Sequence, residues 1–157
     1  MYVVLFEPEI PPNTGNLIRL CSNTGCELHL IEPLGFSLEE KALRRAGLDY
    51  HDTARVQIHR TFDDCLAHLH AHTPKARIFA VTTRGSLAYH QPDYRRGDIL
   101  LFGPESRGLP PGLLSDPRLC ERLRIPMRPA SRSLNLANAV ALVTYEVLRQ
   151  LDYPGLV

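Results

Sequence analysis

Two short runs gather the residues best suited to chemistry in this chain. The first, FGPESRGLP at 102–110, follows an apolar strand candidate, Ile99–Phe102. From Gly103 onward it packs two glycines, two prolines, Glu105 and Arg107 into eight positions. Glycine lets a backbone approach a ligand closely or take positive φ, and proline fixes φ and removes a donor. The second run, Ile125-Pro126-Met127 followed by Ser131-Arg132-Ser133-Leu134-Asn135, repeats the logic. Open α/β sheets place their ligand crevice where strands end in such turns. The two junctions therefore suggest a pocket built largely from main chain, although the same composition also fits two ordinary surface turns.

The charge distribution adds a second clue. Net charge is only +1, which excludes a globally basic nucleic-acid binder. Arginine nevertheless outnumbers lysine 16 to 2. Six arginines (107, 118, 122, 124, 128, 132) face only Asp116 and Glu121 between positions 107 and 132. Guanidinium forks suit phosphate better than ammonium does, so this local excess points to phosphate or RNA contact; arginine-rich codon usage would also raise the count.

Several chemistries are excluded. Gly103 and Gly108 have P-loop spacing, but Leu109 and Pro110 follow in place of Lys-Ser/Thr. There is no G-x-G-x-x-G opening a helix, no G-x-S-x-G elbow and no H-E-x-x-H. Cys21, Cys26, Cys65 and Cys120 show no C-x-x-C spacing and read as free buried thiols of a cytosolic protein. His68 and His72 would share one helix face, but no third ligand is visible in the sequence. A solvated helix end is expected there and no metal. What remains suits group transfer from a bound donor to a polar acceptor, where positioning supplies most of the rate.

The elements that must hold these residues alternate. With 157 residues and 44% hydrophobic content, one domain with a real core is expected over 1–157, with no membrane span and no signal peptide. Strands are predicted at 2–6, 28–32, 55–59, 77–83, 99–102 and 123–125. Helices are predicted from Asn13 or Thr14 to about Cys26, from Ser37 to near Gly47, at Phe62–His72 and at Leu134–Leu151. Glu7–Pro12 reads as a rigid loop, and Gly85–Gly97 as a long connection or lid. The broad apolar stripe of Leu136, Val140, Val143, Val147 and Leu151 suits a core helix, a homodimer contact or both. The alternation implies a single mostly parallel α/β/α domain.

Three blocks, NTGNLIRLCSNTGC (13–26), FGPESRGLP (102–110) and IPMRPASRSLNLANAVALVTYE (125–146), resemble the three motifs of the SPOUT superfamily, in its TrmH class of RNA 2′-O-ribose methyltransferases. VLFEPEIPPNTGN and LRRAGLDYHD (43–52) are similar to the smallest branch, the TrmL (YibK-like) methyltransferases of the tRNA wobble nucleotide. The resemblance runs essentially from Tyr2 to Gly155. It implies a parallel sheet whose carboxy-terminal part threads a loop as a trefoil knot. It also implies S-adenosylmethionine as cofactor, held largely by backbone groups at Val81, Thr82, Gly103, Glu105, Ile125, Met127, Ser133 and Leu134. Asn13, Arg19, Glu105, Ser133 and Asn135 are the implied catalytic residues.

The family mechanism makes the arginine deprotonate the ribose 2′-hydroxyl. A guanidinium is permanently charged in proteins, so the role read here for Arg19 is to grip an RNA phosphate and stabilise the developing alkoxide. For Ser133 and Asn135 a helix N-cap is the alternative role. The implied partners are the anticodon loop of tRNA and a second copy of the chain. No amino-terminal RNA-binding domain is expected. Arg44, Arg45, Arg128 and Arg132 are the candidate phosphate contacts. Tyr50, Tyr89 and Tyr145 are candidates for base stacking, with core or interface packing as their alternative. Competing readings are the same chemistry on ribosomal RNA or another tRNA position, a catalytically silent RNA-binding dimer, and a Rossmann-like nucleotide enzyme.

Overall fold

The computed structural model describes residues 1–37 and 56–157. The helix expected from Ser37 toward Gly47, the stretch 43–52, and Arg44, Arg45 and Tyr50 lie outside the described residues, apart from Ser37 itself. Eleven elements follow in order among the described residues: β1 (Tyr2–Phe6), α1 (Pro11–Thr24), β2 (Glu27–Ile31), β3 (Val56–His59), α2 (Phe62–His72), β4 (Ile78–Val81), β5 (Leu87–Ala88), β6 (Ile99–Phe102), α3 (Pro111–Leu114), β7 (Leu119–Arg124) and α4 (Leu136–Gln150). The strands form one sheet in the order β3-β2-β1-β6-β4-β7-β5. Every neighbouring pair runs parallel.

The central strands are continuous apolar runs, YVVLF in β1 and ILLF in β6, because a parallel sheet is covered on both faces. Side-chain alternation sorts them into two cores. Val3, Leu5, Leu28, Leu30 and Leu100 pack with Leu17, Ile18 and Cys21 of α1 and with Val140, Val143 and Val147 of α4. Tyr2, Val4, Ile31, Ile99 and Leu101 pack on the other side with Phe62, Cys65, Leu66 and Leu69 of α2. Because all strands are parallel, the ends of β1, β4, β6 and β7 open on one edge. In register, Val81 stands beside Phe102 on one side and Leu123 on the other.

The order of insertion is unusual. β7 lies between β4 and β5, although only residues 82–86 separate those two strands in the chain. The link crosses β7 at close range. A Cβ on Gly85 would stand 2.3 Å from the Leu123 carbonyl carbon and 2.4 Å from its oxygen. Thr82 N–H donates to Leu123 O, and Ser86 N–H to Arg122 O. The carboxy-terminal strand β7 is thus inserted between two earlier strands and packed against the short link that joins them.

Several local expectations need correction. Helix α1 begins at Pro11, inside the stretch read as rigid loop. Pro11 and Pro12 occupy its first turn, where no intrahelical donor is needed, and Ile10 rather than Asn13 or Thr14 is the N-cap. Gly25 ends the helix at φ 73°. The segment 85–97 is no lid: it holds β5, and Tyr94 is buried with its N–H donating to Gln150 Oε1. The last strand begins four residues earlier than expected, at Leu119. Its outward Cys120, Glu121 and Arg122 hide it from an apolar pattern. Cys120 is exposed, whereas the other three cysteines are buried as expected.

Candidate active site at the carboxyl edge of the sheet

The two proline-glycine junctions and the start of α1 meet at this edge. Pro11 and Pro12 leave few amide donors at the head of α1, and Glu105 from the loop after β6 takes those that remain nearby. Its Oε2 accepts from Glu9 N at 2.8 Å, and its Oε1 accepts from Ile10 N at 3.3 Å. A carboxylate at a helix N-terminus is also favoured by the helix dipole. Asn13 Nδ2 donates to the same Oε1 at 3.0 Å. From the other side Asn135 Nδ2 donates to Asn13 Oδ1 at 2.8 Å. Asn13, Glu105 and Asn135, which lie far apart in the chain, thus form one hydrogen-bonded row, with Asn13 buried in its centre.

Asn135 has a second job. Its Oδ1 accepts from Ala137 N at 2.9 Å and Asn138 N at 3.3 Å and so caps α4. Of Ser133 and Asn135, both of which could have capped α4, Asn135 takes the N-cap role and Ser133 is exposed two residues earlier.

A second clasp fixes the loop from outside. Glu9 Oε2 accepts from Ser106 N at 2.9 Å, and Glu9 Oε1 from Ser106 Oγ at 2.8 Å and from Arg107 Nη1 at 3.0 Å. The Ser106 hydroxyl and amide, with Arg107 beside them, hold the Glu9 carboxyl below its usual range. Arg107 also pairs with Glu7. Loop 103–109 closes on itself: a Cβ on Gly103 would sit 2.3 Å from Leu109 N and 2.5 Å from Gly108 C. Gly108 takes φ 67°. Glu7, Glu9, Ser106 and Arg107 were missed as site-builders. The signal was the complementary pattern E-P-E against E-S-R, legible only once the two loops are known to meet.

The expected cofactor positions fall at strand ends along this edge. Val81 closes β4 with Thr82 following, Gly103 follows β6, and Ile125 follows β7. Met127 and Leu134 lie on the loop into α4 as exposed large apolar side chains, at 37% and 41%. Arg19 is on the exposed face of α1, with Arg128 and Arg132 exposed on the β7–α4 loop. Of the six arginines noted above, Arg107 is tied to Glu7 and Glu9, and Arg118 to Asp116 and Asp63. That leaves Arg122, Arg124, Arg128 and Arg132 as the cationic surface. Tyr89 is half-buried and packs against the α1/α4 core, while Tyr145 is 47% exposed on α4.

A parallel α/β sheet covered on both faces, with a polar row joining its loops at the carboxyl edge, presents that edge where open α/β domains bind their ligands. The chain belongs to the SpoU rRNA Methylase family, whose model matches residues 1–145. It is 56% identical over 155 residues to the tRNA (cytidine(34)-2′-O)-methyltransferase of Escherichia coli (strain K12), covering 99% of this chain and 96% of that one. A solved structure concerned with the 2-OH methylation of C/U34 on tRNA superposes with a TM-score of 0.86 at 46% identity, covering 96% of this chain and 95% of that one. An AdoMet-bound rRNA methyltransferase from Sinorhizobium meliloti superposes with a TM-score of 0.80 at 25% identity, covering 96% of this chain and 56% of that one.

Proposed function

We propose that this chain transfers a methyl group from S-adenosylmethionine to the ribose 2′-hydroxyl of nucleotide 34, a cytidine or modified uridine, in the anticodon loop of tRNA. The observation that carries the reading is 56% identity across 99% of the chain to an enzyme named for that reaction. The edge geometry supports it. The exposed Met127 and Leu134 offer apolar surface that the fold leaves uncovered, beside loops that present main-chain groups. That combination suits an adenosyl group, which needs apolar cover and a few fixed polar partners. Val81, Thr82, Gly103, Glu105, Ile125, Met127, Ser133 and Leu134 would hold it. When bound, the cofactor supplies an electrophilic methyl on sulfonium sulfur.

The chain's own residues supply positioning. Glu105 already accepts three hydrogen bonds, so its role is to lock the 103–109 loop to the head of α1 rather than to take a proton. Asn13 and Asn135 fix that lock to α4. Arg19 carries a permanent charge on the exposed face of α1, where it holds an RNA phosphate and stabilises the alkoxide forming at the 2′-oxygen. Arg128 and Arg132 add salt-sensitive phosphate contacts. The whole chain acts as one unit and works in the cytoplasm, where tRNA is found. It pairs with a second copy through the α4 side, where Leu142 and Tyr145 remain 45% and 47% exposed. Incubation of the purified chain with tRNA and labelled S-adenosylmethionine tests the reading, because transfer must require a 2′-hydroxyl at position 34. Label found on a base, or no label in tRNA, refutes it.

A further inference from the structure

Away from the carboxyl edge, four side chains with metal-binding chemistry converge between β2, β3 and α2. The parallel register sets His29 beside Gln57, so His59, two residues on, projects to the same face of the sheet. His29 Nδ1 and His59 Nε2 lie 2.9 Å apart, with the rings stacked at 5.2 Å. From α2, Cys65 and His68 share a helix face through their three-residue spacing. The His68 ring stands 5.8 Å from that of His29 and 5.5 Å from that of His59. One donor atom each from His29, His59 and Cys65 fall within 4.8 Å of one another. His29 is fully buried, and its Nε2 has no hydrogen-bond partner; Glu27 Oε2 is 3.8 Å away, beyond bonding reach.

We propose that His29, His59 and Cys65, with His68 as fourth donor, bind one zinc-class divalent ion that ties β2 and β3 to α2. Imidazole and thiolate are the donor set of such ions. Zinc bonds of about 2.0–2.3 Å in a tetrahedron place donors roughly 3.3–3.6 Å apart. For His29, His59 and Cys65 the closest facing nitrogens are 2.9 Å apart and one donor atom from each lies within 4.8 Å of the others, a range that brackets that spacing. With the ion on the two facing nitrogens, His29 Nδ1 and His59 Nε2, binding exchanges their hydrogen bond for two nitrogen–metal bonds and leaves the His29 ring proton on Nε2, which faces Glu27 Oε2 at 3.8 Å. A sulfur–metal bond forms as the Cys65 thiol proton passes to solvent. His29 lies mid-strand on the α2 face, opposite α1 and α4, so the ion is structural and takes no part in methyl transfer. The pattern escaped the sequence because His29 and His59 are 30 residues apart and only strand pairing unites them.

The test uses the full chain, stripped with a chelator and titrated with Co2+ and then Zn2+. One Co2+ per chain should bind with a thiolate-to-cobalt absorption band, and Zn2+ should displace it and raise the thermal midpoint. Cys65→Ala should abolish the band and weaken binding at least tenfold. His59→Gln should weaken binding similarly, and His70→Ala, which alters an α2 histidine outside the cluster, should change neither. Circular dichroism checks the fold of each variant, and His59→Gln keeps the test decisive if Cys65→Ala fails to fold. Absence of stoichiometric Co2+ binding overturns the proposal. So does binding that survives both substitutions and disappears with His72→Ala, which would place the ion on the His68–His72 pair of α2.

Discussion

Substitution of Asn135 separates the two jobs that its side chain performs. Asn135→Ala removes the Oδ1 cap on α4, a loss of about 1 kcal/mol. It also strips the buried Asn13 Oδ1 of its donor, which costs roughly another 1 kcal/mol. The sum, about 2 kcal/mol, corresponds to a fall of about 4–8 °C in Tm for a chain of this size. Asn135→Asp keeps an acceptor of equal capping quality but places a carboxylate oxygen against Asn13 Oδ1. Turning the Asn13 amide would not relieve this, because its Nδ2 is held by Glu105. Asp is therefore expected to cost about 1 kcal/mol despite being a good cap. Thermal unfolding by circular dichroism reads both variants, and isothermal calorimetry with S-adenosylmethionine reads the edge. If Asn135→Asp is as stable as the parent, the link between the two asparagines contributes nothing and the polar row is incidental.

Four further outcomes follow from the same geometry. Arg19→Ala should abolish methyl transfer while leaving S-adenosylmethionine affinity within about twofold by calorimetry; retained turnover removes Arg19 from the site. Gly85→Ala should destabilise the fold by about 3 kcal/mol or more, since the added carbon meets backbone of β7 that cannot rotate away; an unchanged denaturant midpoint would contradict the close crossing. Gly103→Ala should weaken cofactor binding strongly by prising loop 103–109 open, as measured by calorimetry. Burial, reinforced by His59 and His68, pulls the His29 pKa from its ordinary 6.5 to about 3. The unfolded chain therefore binds a proton that the folded chain refuses. Stability is intact above pH 6.5 and falls toward pH 3 at up to about 1.4 kcal/mol per unit. In buffer containing chelator, His29→Leu should flatten that slope by about one proton, and an unaltered slope would assign the acid sensitivity elsewhere.

Much of the fold was legible because the decisive elements carry strong patterns. The Ile99–Phe102 strand and Phe62–His72 helix appear with the bounds expected from the sequence. β5 was not legible, since two residues without alternation carry no strand signal and only pairing with β7 creates it. The start of α1 was misread because proline was taken as a helix breaker, whereas in the first turn it removes donors the helix does not need. The resemblance to the family's motifs marked Asn13, Glu105 and Asn135, but their mutual bonds depend on long-range assembly that no local pattern encodes. The reach of Glu9 across to Ser106 and Arg107 is of the same kind, spanning 97 and 98 residues.

Nucleoside mass spectrometry of tRNA treated with the purified chain and S-adenosylmethionine addresses the central claim directly. A 2′-O-methylated nucleotide should appear at position 34, disappear with Arg19→Ala, and be absent from transcripts carrying a 2′-deoxy sugar there. Methylation at another position, or tRNA returned unmodified by a folded chain that binds the cofactor, would contradict the account.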